Sequence, residues 1–158
     1  MEGTAIVSGA SSGIGLAVCE MLLEKGYRVY GLSRRGTGPE GAVCLSCDVT
    51  DEAAARRAAA FVFEKEGRID ILVNNAGMGI SGPVEFTEEE DARRIMDVNF
   101  MGQFFLAKAV LPYMREQKSG HIVCVSSVAA PIAIPYQGFY SASKAAVNGM
   151  ALAMRNEV

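Results

Sequence analysis

The sequence predicts an α/β domain built on a doubly wound parallel sheet. Three observations predict it. Short apolar and β-branched runs alternate with stretches of helical periodicity. The run Ile69 to Val73 is apolar almost throughout, as a central strand covered on both faces requires. A glycine-rich turn follows the first run directly. The 158 residues, 50% apolar and 21% charged, make about one domain with a sizeable core.

Each element has its own signal. Ala5 to Val7 is the first strand, stopped by Ser8-Gly9. Gly13 to Lys25 is helical through Ile14, Val18, Met21 and Leu22, and Gly26 ends it. Arg28 to Leu32 and Ala42 to Ser46 are the second and third strands, with a Gly/Pro-rich loop, Gly36 to Gly41, between them. Thr50 or Asp51 caps a long helix to about Glu66. Ile69 to Val73 is the fourth strand. Thr87 and Glu90 form a capping-box pattern that opens another helix, continued with a bend near Asn99 to about Gln117. Ile122 to Val125 is the fifth strand, and a last helix starts near Gly138 or Tyr140. Strands separated by helices imply right-handed parallel crossovers. No repeat, linker or second-domain boundary interrupts the pattern.

Composition excludes several classes. A net charge of -3 does not suit general nucleic-acid binding, which rests on cationic neutralisation of phosphates. Four cysteines in a chain this long do not make a disulfide scaffold. The sequence has no basic start followed by an apolar leader and no apolar run of membrane-spanning length. The expectation is a soluble cytoplasmic protein with no membrane partner. His121 is the sole histidine, so a histidine-based metal centre is not expected.

The first candidate site is the turn after the first strand. Gly9, Gly13 and Gly15 have the spacing G-x-x-x-G-x-G. Gly9 permits the sharp turn, Gly13 permits backbone to approach a pyrophosphate, and Gly15 permits close helix-to-sheet packing. The helix N-terminus offers free N–H groups to phosphate, and Ser8, Ser11 and Ser12 add hydroxyls. No lysine follows the glycines, so the turn is not a mononucleotide P-loop. Where an NAD site places an acid after the second strand, this sequence has Ser33, followed by Arg34. A guanidinium pairs with a 2'-phosphate, which favours NADP over NAD. Asp48 either accepts from the adenine amino group or caps the following turn. Asn74-Asn75-Ala76-Gly77 closes the fourth strand, at the end of the sheet where ligands bind.

The reactive group is sought after the fifth strand. Tyr140 and Lys144, four apart, share one helix face. A free phenol ionises near pH 10, and a neighbouring ammonium favours its ionised form. Tyr140 can then give a proton to a carbonyl oxygen that Ser127 holds by hydrogen bonding.

Gly9-x3-Gly13-Ile14-Gly15, Asn74-Asn75-Ala76-Gly77, Asn99, Ser127 and Tyr140-Ser141-Ala142-Ser143-Lys144 together resemble the short-chain dehydrogenase/reductase family, soluble type, over essentially the whole chain. The resemblance implies a Rossmann-like sheet in the order 3-2-1-4-5. It implies an NAD(P)-dependent oxidoreductase transferring hydride between nicotinamide and a carbonyl or secondary alcohol. Asn99, Ser127, Tyr140 and Lys144 match the family's catalytic residues, Asn99 through a water that extends the relay from Lys144. Gly9, Ser11, Ser12, Gly13, Ile14, Gly15, Ser33, Arg34, Asp48, Val49, Asn75, Ala76 and Gly77, with Tyr140 and Lys144, match the cofactor contacts. Ser8 stands where the family most often has Thr and keeps the hydroxyl. Family members are longer, so residues 1–158 are expected to be one NAD(P)-binding domain, truncated at its C-terminus and lacking the family's last two strands. Core packing explains part of the apolar face of Phe100, Phe104, Phe105, Val110 and Leu111, and the resemblance implies that this helix and the one after Tyr140 also form homodimer or homotetramer interfaces.

Two features carry other readings. Cys44-x-x-Cys47 and His121-x-x-Cys124 suggest a four-ligand metal site, but the expected order separates strands three and five by about 19 Å, too far for one ion. Ala129 to Pro135 is an apolar loop, either plain packing or one wall of a pocket for an apolar carbonyl compound. A non-catalytic nucleotide-binding protein, or an inactive fragment of a reductase, is the alternative to the enzyme.

Overall fold

The computed structural model describes residues 2–158. Its strands are β1 (Thr4–Ser8), β2 (Arg28–Ser33), β3 (Val43–Ser46), β4 (Ile71–Asn74) and β5 (His121–Cys124). They form one parallel sheet in the order β3-β2-β1-β4-β5, as expected. The register pairs Ala5 with both Val29 and Ile71, so β1 is the spine from which the sheet extends to either side.

The helices are α1 (Gly13–Glu24), α2 (Glu52–Glu66), α3 (Glu89–Met96), α4 (Gly102–Gln117) and α5 (Gly138–Glu157). Strand alternation divides the core between two faces. Ile6, Tyr30, Leu32 and Leu72 meet the small-residue stripe of α2 (Ala55, Ala58, Ala59) and Leu106, Val110 and Met114 of α4. Phe63 of α2 stacks on Tyr113 of α4 with ring centroids 4.4 Å apart. On the other face Ala5, Val7, Val29 and Val73 meet Cys19 and Leu22 of α1. α5 packs against α3 and the segment that follows it. Among the described residues, no helix is long and apolar enough to cross a membrane.

Several boundaries have a local cause. Asp51 caps α2 as expected, its carboxylate accepting the Ala53 N–H, and Gly67 ends the helix in the left-handed region. The bend near Asn99 is a π-helical segment, Asp97–Met101, joining α3 to α4. The capping box expected from Thr87 and Glu90 does not form. The Thr87 hydroxyl instead donates to the Pro83 carbonyl, closing the 3-10 turn Val84–Phe86. α3 therefore starts from Glu88 with no side-chain cap. The fourth strand starts at Ile71 rather than Ile69, because helix side chains claim the Ile69 backbone. The Gln117 carboxamide accepts its N–H and donates to its carbonyl. The Asp70 carboxylate takes the Thr4 N–H and pairs with Arg68, which also holds it below the usual carboxylate range.

Candidate functional site

The carboxyl ends of β1, β2, β3 and β4 open onto a cleft of about 880 Å³, within the range of small-molecule sites. Of the expected cofactor residues, Gly9, Ser11, Ser12, Ile14, Ser33, Arg34, Asp48, Val49, Asn75, Ala76 and Gly77 line it.

The glycine turn explains why the cleft is open at this end. Gly9 has φ 71°, and a side chain there would meet the Asn75 amide and the Ala76 backbone. Gly13 has φ 57°, with nothing within 4 Å of where its Cβ would stand. Gly15 lies under the turn, where a Cβ would fall 2.3 Å from the Gly9 carbonyl oxygen. Ser12 precedes α1 but makes no side-chain cap, and the first turn carries no acid. The helix N-terminus thus keeps its N–H groups and positive end for an anion. A dinucleotide's pyrophosphate fits this arrangement.

Ser8 ties β1 to β4. Its hydroxyl accepts the N–H groups of Asn75 (3.0 Å) and Ala76 (3.1 Å), while the Asn75 amide donates back to the Ser8 carbonyl. Serine thus does the hydroxyl's work at this position. Ser33 is nearly buried, and its hydroxyl both donates to and accepts from the backbone of Thr37 at 2.8 Å. It shapes the loop that carries Arg34. Asp48 accepts from the Thr50 N–H and hydroxyl, which hold its carboxyl below the usual range, with Arg34 adding to the effect. Its turn-capping role is therefore present, while the same exposed carboxylate lines the cleft.

Of the expected catalytic residues, Asn99 and Lys144 stand beside Gly77, and Tyr140 lies next to Lys144. The Lys144 ammonium is buried and donates to the Val125 carbonyl at 2.9 Å. It lies 5.9 Å from the Tyr140 ring centroid, and a Cβ on Gly77 would stand 3.5 Å from it. Burial pushes its pKa below the ordinary lysine value. Ser126 donates to the Lys144 carbonyl at 3.3 Å, fastening α5 to the end of β5. Ser143 donates to the Tyr140 carbonyl and accepts from the Asn99 amide. Asn99 is fully buried, and its amide also bonds both backbone groups of Met78. Ser127 follows β5 half-buried, its hydroxyl accepting the Ala129 N–H at 3.1 Å rather than bonding to Tyr140.

The opposite wall of the cleft comes from α3 and the π-helical segment, through Glu90, Arg93, Arg94, Asp97 and Val98. Sequence reasoning did not reach these residues. A charged run at a helix start reads as a solvated face, whereas here part of it lines the cleft. Cys44 lies within β3 and Cys47 just past its end, with strands β2, β1 and β4 between them and Cys124 on β5.

A hydroxyl-lined glycine turn on a 3-2-1-4-5 sheet, with a buried lysine beside a tyrosine on α5, is a Rossmann-like arrangement. The family model for short chain dehydrogenase matches residues 3–158, and the chain belongs to that family. The 3-ketodihydrosphingosine reductase of Bacteroides thetaiotaomicron is 46% identical over 154 residues, 97% of this chain and 57% of the relative. The 3-oxoacyl-(acyl-carrier-protein) reductase MabA of Mycobacterium tuberculosis is 35% identical, over 97% of this chain and 62% of its own. The ligand-free aldohexose dehydrogenase of Thermoplasma acidophilum superposes with a TM-score of 0.95 at 35% identity, over 99% of this chain and 61% of that one. A metagenomic short-chain oxidoreductase in complex with NADP gives a TM-score of 0.90 at 31% identity, over 98% and 76%. The chain thus spans less than two thirds of the curated relatives described here.

Proposed function

We propose that the protein carrying this chain is an NADP-dependent oxidoreductase acting on a carbonyl or secondary alcohol, with residues 1–158 as its NAD(P)-binding domain. The observation that carries this reading is the buried Lys144 ammonium, set between the end of the cleft at Gly77 and the ring of Tyr140. The NADP complex of a structural neighbour supports the cofactor class. Two relatives named for reducing 3-keto and 3-oxoacyl compounds support the carbonyl class.

The glycine turn and the N-terminus of α1 would hold the pyrophosphate, Arg34 a 2'-phosphate, and Asp48 and Val49 the adenine side. Bound there, the nicotinamide supplies or accepts the hydride. The chain's own residues manage the proton. Tyr140 gives its hydroxyl proton to the substrate oxygen during reduction and takes it back during oxidation. Ser127 donates a hydrogen bond to that oxygen, where negative charge develops. Lys144, its ammonium 5.9 Å from the Tyr140 ring centroid, would hold the nicotinamide ribose. Asn99 fixes the Met78 turn and Ser143 on either side of Lys144.

The test is Tyr140→Phe in the intact protein, which keeps the ring and removes the hydroxyl. Single-turnover NADPH oxidation with a good carbonyl substrate should fall by about 100-fold or more, the scale of general acid catalysis. NADPH titration should change little. A variant that turns over at nearly the parent rate defeats the proposal.

A further inference from the structure

We infer that Gln103, in the first turn of α4, is a positioning residue for Lys144. Its carboxamide occupies one lone pair of the Val125 carbonyl and leaves the buried ammonium the other, on the side of Gly77 and Tyr140. The inference rests on the reading of Lys144 as the group that would hold the nicotinamide ribose, and it assigns the residue that aims it. The two side chains share one acceptor. Lys144 Nζ donates to the Val125 oxygen at 2.9 Å, and Gln103 Nε2 donates to the same oxygen at 3.3 Å. A peptide carbonyl offers two lone pairs. With a neutral amide on one of them, an ammonium on a flexible stem keeps a single approach. That approach sets Nζ 5.9 Å from the Tyr140 ring centroid and 3.5 Å from where a Cβ on Gly77 would stand.

The shared acceptor is itself held in place. The Val125 N–H donates to the Asn74 carbonyl at 2.9 Å, and the Asn74 amide donates to the Gln103 carbonyl at 3.0 Å. Asn74, Gln103 and Val125 thus close a ring of hydrogen bonds that joins the ends of β4 and β5 to the start of α4. Packing does not account for a glutamine in this ring. Gln103 is 2% exposed, and its Oε1, like the Asn74 Oδ1, meets no donor among the described residues. A buried acceptor left without a partner costs stability, and a methionine of similar length would fill the space without that cost. Nor does the Val125 carbonyl need a second donor, since Lys144 already satisfies it. The carboxamide cannot be turned over to advantage, because its oxygen would then face the Val125 oxygen, acceptor against acceptor. What the glutamine does supply is an N–H on the oxygen that Lys144 uses.

The experiment is a double-mutant cycle on the intact protein, read by NADPH titration, which needs no turnover. Gln103→Met should weaken NADPH about five- to tenfold, the scale of one net hydrogen bond. In a Lys144→Met background the same substitution should change affinity by less than about twofold, because no ammonium remains to be aimed. In the single variant kcat should fall together with NADPH affinity, while KM for the carbonyl substrate and the melting temperature hold. Gln103→Leu repeats the cycle if methionine disturbs the fold. Equal losses in both backgrounds, or no loss in either, overturn the inference and leave the reading of Lys144 intact. So does a loss of affinity that only follows a fallen melting temperature, or a failure of both variants to fold, since Gln103 would then be a residue of the fold alone. If Lys144→Met by itself binds NADPH as the parent does, the ribose reading fails and takes the inference with it.

Discussion

Asn99 reads both backbone polar groups of Met78: its Oδ1 accepts the Met78 N–H at 2.7 Å and its Nδ2 donates to the Met78 carbonyl at 2.9 Å. The same nitrogen donates to Ser143 at 3.0 Å, so one side chain joins the loop after β4 to α5. Asn99 is fully buried. Asn99→Leu keeps the volume but strands these partners. It should cost about 2–4 kcal/mol, since each buried group left unpaired costs about 1–3 kcal/mol. Thermal unfolding reads the loss, and an unchanged midpoint would show that the Met78 loop rearranges freely.

Arg34 should decide between the two nicotinamide cofactors. It stands at the end of β2 on the cleft wall, and Ser33 beside it carries no charge to repel a phosphate. Arg34→Ala should weaken NADPH by about tenfold or more while changing NADH little, because charge-assisted bonds to phosphate contribute about 1.5–3 kcal/mol. Titration of both cofactors against both proteins makes the check. Equal losses would remove the assigned role.

Lys144 should show a trade between activity and stability. Its ammonium is buried, and desolvation pulls its pKa down. The Val125 carbonyl that it bonds also accepts from the Gln103 amide at 3.3 Å. Lys144→Met therefore leaves that carbonyl a partner and removes a costly buried charge. The melting temperature should hold or rise, while NADPH affinity and turnover both fall. Ser127→Ala should lower turnover alone. A Lys144→Met protein with parent cofactor affinity would contradict the ribose role.

Alkaline pH should destabilise the fold through its buried thiols. Burial pushes Cys19 and Cys47 up to about 11, from 9.0. A raised folded-state pKa contributes stability that is intact below the unfolded value and lost as pH rises through the folded one. The loss should run from about pH 9 to about pH 11, on the order of 2 kcal/mol per thiol near pH 10.5. Lys144, depressed instead, acts with the opposite sign, so the clean readout is a difference. The stability gap between parent and Cys47→Ala should shrink as pH rises from about 8 to about 10.5. A constant gap would show that the thiol does not titrate over this range.

The alternation of strands and helices was legible because it rests on local pattern, while the sheet order followed from the family resemblance. Gly9, Gly13 and Gly15 announce a turn that no other residues make. Tyr140 and Lys144 share a face by helix geometry alone. What stayed hidden depends on distant partners. Thr87 has the residue type of a cap, but the Pro83 carbonyl lies within reach of its hydroxyl and wins. Ile69 continues an apolar run, yet a glutamine 48 residues away takes both its backbone groups. Arg93 and Arg94 line the cleft because of where α3 packs, which the local sequence does not mark.

The Gln117 clamp on Ile69 acquires a second meaning beside that of Asn99 on Met78. Both carboxamides ride on the same continuous helical rod, and they grip β4 just before it begins and just after it ends. The rod therefore works as a gauge block for the strand. Adding one residue between the two grips would displace the second by about 1.5 Å and swing it about 100° around the axis. Either clamp would then miss. Insertions and deletions should be purged from residues 99–117 far more strictly than substitutions, whereas the loop from Gly36 to Gly41, which spans no such gauge, can change length. In related chains, the spacing between the two carboxamides should be the invariant across this stretch.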